Sequence, residues 1–157
     1  MNINFVEMIN QTTGEFTEKF EKRNLQIVLN VPEKPVMVRT DGRRMWRVIE
    51  NIYNNAAKYA LEGTRVYADL IEKEHTVEFS LKNISEQPLN ISADELTERF
   101  IRGDVSRSTE GSGLGLSIAK NLTELQGGKF ELYLDGDLFK VTIVFPKAVV
   151  GQSVTKP

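Results

Sequence analysis

The chain contains no cysteine. Disulfides and zinc–thiolate sites are therefore excluded, and the composition suits a reducing compartment. It has one histidine, His75. No apolar run approaches the roughly 18 residues a membrane helix needs. No N-terminal stretch reads as a signal peptide. The formal charge of −2 gives no reason to expect nucleic acid. No internal repeat or low-complexity tract is present. What remains is a 157-residue chain, 40% hydrophobic and 27% charged, enough for one domain with a sizeable core.

Two stretches carry chemistry. The first is Gly111-Ser112-Gly113-Leu114-Gly115-Leu116, which leads into an apolar run to Leu125. Glycines let the backbone approach a ligand closely. A helix opening there aims unpaired N–H groups and its dipole at whatever fills the loop, and anions suit it best. No Lys-Ser/Thr follows the glycines, so this is not a P-loop. The G-x-G-x-G spacing, with no strand before it, is not a dinucleotide fingerprint.

The second stretch is Asn51-Ile52-Tyr53-Asn54-Asn55-Ala56-Ala57-Lys58-Tyr59. It lies in a helix that Asp41 is placed to cap. Val48, Ile49, Ile52, Ala56 and Ala60 recur at helical spacing. Asn51, Asn55, Lys58 and Tyr59 fall on one polar stripe. Asparagine is a poor helix former, so two on one stripe need a reason. An amide oxygen is a hard neutral ligand suited to Mg²⁺. Lys58 offers a point charge for phosphate, and Tyr59 a flat face with a polar tip. A solvated helix face is the competing explanation.

Together these stretches resemble the ATP-binding catalytic domain of bacterial sensor histidine kinases, within the superfamily that includes gyrase, MutL and the large heat-shock chaperones. Asn51–Tyr59 looks like the N box and Gly111–Leu116 like the G2 box. Glu98-Arg99-Phe100-Ile101-Arg102 looks like the F box, and Asp41–Met45 with Val48 like the lead-in to the N box. The resemblance covers about residues 5–146. It implies an α+β fold of the Bergerat type: a two-layer α/β sandwich with a mixed, mostly antiparallel sheet covered on one face by helices.

By resemblance, Asn55 would ligate Mg²⁺ and Asn51 would sit beside the phosphates or the metal's waters. Lys58 would contact a phosphate, and Tyr59 would pack near adenine or ribose. Arg102 would reach the terminal phosphates from the lid. Gly111, Gly113 and Gly115, with Ser112, Leu114 and Leu116 between and after them, would hinge the lid and offer N–H donors. The family's Asp-x-Gly-x-Gly box is altered: Asn83 stands at the Asp position, with Ser85 and Gln87 for the glycines. Asn83 can still accept from the adenine amine, without charge assistance.

The implied function is transfer of the γ-phosphate of Mg-ATP to a histidine on a separate dimerisation domain, with a response regulator downstream. Hydrolytic relatives place a Glu four residues before the metal-binding Asn. Here that position is Asn51, which cannot take a proton from water, and Glu50 is turned about 100° around the helix. His75 lacks the acceptor motif and reads as an exposed turn residue. A serine kinase of the anti-sigma type and a non-enzymatic partner-binding module remain as alternatives.

The expected layout is a catalytic domain over residues 1–146. Its helix, residues 1–22, would lead in from a dimerisation domain, and residues 147–157 would form a flexible tail. A capping box at Ser92–Glu95 opens a short helix before a polar lid at 102–112. The fragment is expected on the cytoplasmic side of an anchored sensor, without membrane contact of its own.

Overall fold

The computed structural model describes residues 1–89 and 112–148. Its elements are β1 (Asn2–Asn4), α1 (Phe5–Lys22), β2 (Gln26–Asn30), β3 (Met37–Arg39) and α2 (Gly42–Tyr59). They continue with β4 (Arg65–Glu72), β5 (Thr76–Ile84), α3 (Ser112–Leu125), β6 (Lys129–Asp135) and β7 (Leu138–Pro146). The expected helix at 92–100 and the lid lie outside the described residues.

Both long helices start at side-chain caps. Asn4 Oδ1 accepts from the Glu7 amide at 3.3 Å. Asp41 Oδ1 accepts from the amides of Arg43 and Arg44 at 2.9 and 3.1 Å. Each cap satisfies donors that a helix start leaves open. Gly14 does not interrupt α1, which buries Phe5, Ile9, Phe16 and Phe20 along one stripe.

Five strands form one sheet in the order β2-β4-β5-β7-β6. Only β2 and β4 run parallel, joined through β3 and α2. The other neighbours are antiparallel. Along β5, Val77, Phe79 and Leu81 are buried on one face, while on the other Glu78 and Lys82 are partly exposed and Ser80 between them is covered. This period of two puts an apolar face under the helices. Met45, Val48, Ile49, Ile52 and Tyr53 of α2 share the core with Val66, Ala68, Val141, Ile143 and Phe145 of the sheet. Each such burial contributes about 1.5–3 kcal/mol. The two-layer mixed sheet matches the expected fold class.

Three features depart from the sequence reading. Pro32-Glu33-Lys34-Pro35 reads as a turn between strands at 26–31 and 36–39, yet those strands do not pair with each other: β2 pairs with β4 and β3 antiparallel with β1. The strand β1 itself is unforeseen. Lys147 and Ala148, the first residues of the expected tail, are hydrogen-bonded: the Lys147 amide donates to His75 O at 2.9 Å and that of Ala148 to Met37 O at 3.1 Å. Lys147 also bridges to Val38. Main-chain pairing to β3 and to the β4–β5 turn holds these two residues.

Helix α3 ends at Leu125, and the turn after it passes through Gly127, whose φ of +85° suits a residue without Cβ. The amides of Gly127 and Gly128 donate to Glu124 O and Thr123 O. A Cβ on Gly128 would lie 2.7 Å from the buried Phe145 ring and 2.9 Å from Val144 O. Gly128→Ala is therefore expected to cost about 1–3 kcal/mol by overpacking, read as a lower urea midpoint. An unchanged midpoint would mean that the ring has room to give.

Candidate functional site

Gly115 of α3 lies against α2. A Cβ on it would stand 4.0 Å from both Cβ and Cγ of Asn51. The glycine-rich stretch and the asparagine stripe, some sixty residues apart in the chain, are thus neighbours in space. Leu116 and Ala119 anchor α3 in the core. The helix begins at Ser112, so Gly113 and Gly115 fall within its first turns. Ser112 and Leu114 are described in backbone only. Arg102 and Gly111 lie outside the described residues.

The stripe on α2 is not uniformly solvated. Asn55 is only 6% exposed. Its Oδ1 is buried with no hydrogen-bond partner, and so is Asn51 Nδ2. A buried polar atom left unpaired costs about 1–3 kcal/mol, and few are tolerated without cause. A carboxamide oxygen in that state is a ready ligand for a hard cation. No cluster of three or more His, Cys, Asp or Glu suited to a metal exists among the described residues. A cation at Asn55 would therefore draw most of its oxygens from a bound ligand and water. Asn54 is set apart: its Oδ1 accepts from Lys19 Nζ of α1 at 3.1 Å. One turn on, Lys58 is exposed and Tyr59 half-buried.

Asn83 lies on the helix-covered face near the end of β5, 3% exposed and opposite Phe139 of β7. The segment after it holds its shape without the expected glycines. The Ser85 amide donates to Asp137 O at 2.7 Å, Glu86 to Tyr59 O at 2.9 Å and Leu61 to Ile84 O at 2.7 Å. Ser85 Oγ accepts from the Gln87 amide at 3.2 Å. Arg23 completes the clamp, donating through Nη1 to Ala57 O at 2.8 Å and through Nη2 to Glu86 Oε2 at 3.0 Å. The segment is thereby stitched to the last turn of α2 beside Lys58 and Tyr59. Sequence reasoning missed Arg23 and Glu86, because a separation of 63 positions leaves no local signal.

Glu50 keeps the step of about 100° from Asn51 around α2. It lines one groove with Asn51, Arg43, Arg44, Trp46, Arg47 and Leu122. A 100° step around the helix does not carry a side chain out of a groove that is wider than one residue. His75 is 86% exposed in the β4–β5 turn, with Glu74 Oε2 at 3.8 Å, as expected of a turn residue.

Residues 40–149 match the family described as histidine kinase-, DNA gyrase B-, and HSP90-like ATPase. The sensor protein KdpD of Clostridium acetobutylicum is 33% identical over 148 residues, covering 88% of this chain and 16% of that protein. The sensor protein VanSC of Enterococcus gallinarum is 30% identical over 142 residues, covering 89% of this chain and 39% of that protein. The chain thus spans well under half the length of these relatives. Among solved structures, a nucleotide-free catalytic domain of the histidine kinase ThkA superposes with a TM-score of 0.81 at 25% identity. That match covers 94% of this chain and 95% of the other. No described helix is long and apolar enough to cross a membrane.

Proposed function

This chain belongs to the histidine kinase-, DNA gyrase B-, and HSP90-like ATPase family, and on that footing we propose that it binds Mg-ATP and donates the γ-phosphoryl group to a histidine on a separate dimerisation domain. It would serve as the catalytic part of a sensor histidine kinase in two-component signalling, with a response regulator as the eventual receiver and a cytoplasmic location. The observation that carries this reading is the orphaned Asn55 Oδ1, buried on the same helix whose Asn51 meets Gly115.

The residues present fit the metal. Asn55 Oδ1 would hold Mg²⁺ by its one protein oxygen, and the cation when bound would neutralise phosphate charge. Asn51 Nδ2, a donor without a partner, would turn to a phosphate oxygen or a metal-bound water. Lys58 would pair with a phosphate, and Tyr59 would border the base or ribose. The first turn of α3, with Gly113 and Gly115, would supply backbone N–H groups. Arg102 and Gly111 would join from the lid side. Catalysis would rest on positioning and charge neutralisation. Asn51 can accept no proton from water, which favours holding ATP for another nucleophile.

The test is calorimetric titration with a non-hydrolysable ATP analogue, with and without Mg²⁺. Magnesium-dependent binding supports the reading. No binding at millimolar analogue, or binding indifferent to the metal, would overturn it.

Asn83 carries the base-recognition part of the proposal. Restoring a carboxylate by Asn83→Asp would replace a neutral hydrogen bond to the adenine amine with a charge-assisted one, stronger by about 1 kcal/mol. The ATP analogue is expected to bind about fivefold tighter. A guanine nucleotide should bind more weakly, because its 6-oxo group would then face a carboxylate. Equal affinities in both chains would remove Asn83 from the base site.

A further inference from the structure

Three arginines crowd the first half of α2, where electrostatics disfavours them. Arg43, Arg44 and Arg47 are all exposed. Cations near a helix N-terminus oppose its dipole. Arg43 and Arg47, one turn apart, repel each other at a cost of a few tenths of a kcal/mol. None of the three forms an ion pair among the described residues. Fold stability therefore does not account for the cluster.

The arginines line a groove of about 630 Å³ together with Glu50 and Asn51 of α2 and Leu122 of α3, so that three cations face one carboxylate and the lining is cationic on balance. Trp46, the chain's only tryptophan, lies among them, half-buried. Leu125, one turn past Leu122, is 66% exposed. Gln126 fastens the two helices, its Oε1 accepting from the Asp41 amide at 3.0 Å. The groove is thus a fixed seat that joins tryptophan and arginine, the residues most often found at binding hot spots, with an apolar contact. Asn51, which also lines the groove, lies beside Gly115 of α3. Whatever fills the groove lies alongside the candidate nucleotide site.

We propose that the α2–α3 groove seats an acidic helical segment of the protein that supplies the phosphoacceptor. Its carboxylates pair with Arg43, Arg44 and Arg47, and its apolar side rests on Trp46 and Leu122. The charge of the seat selects an acidic partner, and a furrow between two helices accepts a third in helix-in-groove fashion. The partner's role as acceptor rests on the kinase reading, whereas the seat stands on the groove residues alone.

Trp46 provides the readout. The probe is a synthetic helical peptide of about 18 residues, with glutamates on one face, leucines on the other and a central histidine. Its titration into the full chain is expected to give a saturable shift in Trp46 emission that weakens with salt. Affinity is expected to fall at least about tenfold in three cases: glutamines replace the glutamates, a mid-sequence proline breaks the helix, or the chain carries Arg43→Glu with Arg47→Glu. The double variant should bind the ATP analogue as the parent does. The proposal is overturned if the glutamine or proline peptide binds as tightly as the acidic helix. It is equally overturned if the double variant keeps its affinity for the peptide, or if a single-stranded oligonucleotide of equal charge binds as well. Failure of the kinase reading would look different: no analogue binding by the parent chain, with peptide binding intact.

Discussion

Asn55→Ala is expected to abolish magnesium-dependent ATP binding and, at the same time, to stabilise the protein. The two effects have one cause. In the free chain the Asn55 amide is buried, with an oxygen that no hydrogen-bond donor reaches. Removing an unpaired buried polar group relieves about 1–3 kcal/mol. Alanine also suits a helix interior better than asparagine, by roughly half a kcal/mol. A small cavity offsets part of this gain. The melting temperature should therefore rise by a few degrees, while affinity for the Mg-ATP analogue falls by about a hundredfold or more. A residue kept for packing would give the opposite stability result. If analogue affinity matched that of the parent chain, Asn55 would not be the metal ligand.

The second large effect concerns Tyr53. Its ring is fully buried and stacks on Phe79 of β5 at 6.2 Å, with Phe16 and Phe20 of α1 at 5.4 and 6.2 Å. Its hydroxyl lies 2.7 Å from Thr13 Oγ1. One side chain thus joins α1, α2 and the sheet. Tyr53→Ala is expected to cost about 3–5 kcal/mol, a large share of the 5–15 kcal/mol typical of a domain. Urea denaturation would show it. A loss under 1 kcal/mol would mean that the core closes over the gap.

Burial also pushes the Tyr53 phenol up to about 12, partly opposed by the Thr13 hydrogen bond. An unfolded tyrosine ionises near 10. The folded chain therefore holds this proton more tightly than the unfolded one. The associated stability is complete below pH 10 and is lost as pH rises from 10 to 12. Tyr53→Phe should flatten that alkaline loss. A variant that kept the same slope would place the alkaline transition elsewhere.

The elements most legible in the sequence were those with a long period. Helix α2 announced itself through its Asp41 cap and its apolar spacing, and the β4–β5 and β6–β7 hairpins through alternation across short turns. The ribbon of β1 and β3 did not, because three residues are too few for a period and each strand depends on a distant partner. The parallel pairing of β2 with β4 was hidden for a related reason: Pro32–Pro35 looks like a local turn, while the true neighbour lies beyond a whole helix. At the site, residue types and spacing picked out Asn51, Asn55 and Gly115 in advance. They could not reveal that Asn55 is buried, nor that Arg23 and Glu86 make up for the absent glycines after Asn83. Burial and long-range ion pairs are properties of the packed chain.

The strand β3 is three residues long, yet residues near both ends of the described chain are fastened to it. Ile3 and Lys147 flank Val38 from opposite sides, and the amide of Thr40 is held by Met1 O at 3.0 Å. Immediately beyond lies Asp41, where α2 begins. Mechanically, β3 is a coupling: a pull or twist delivered through residues 1–4 or 147–148 converges there and is handed straight to the base of the helix that carries Asn51 and Asn55. A pull at 147–148 is shared with the sheet, because β7 ends at Pro146, whereas one at residues 1–4 reaches β3 through β1.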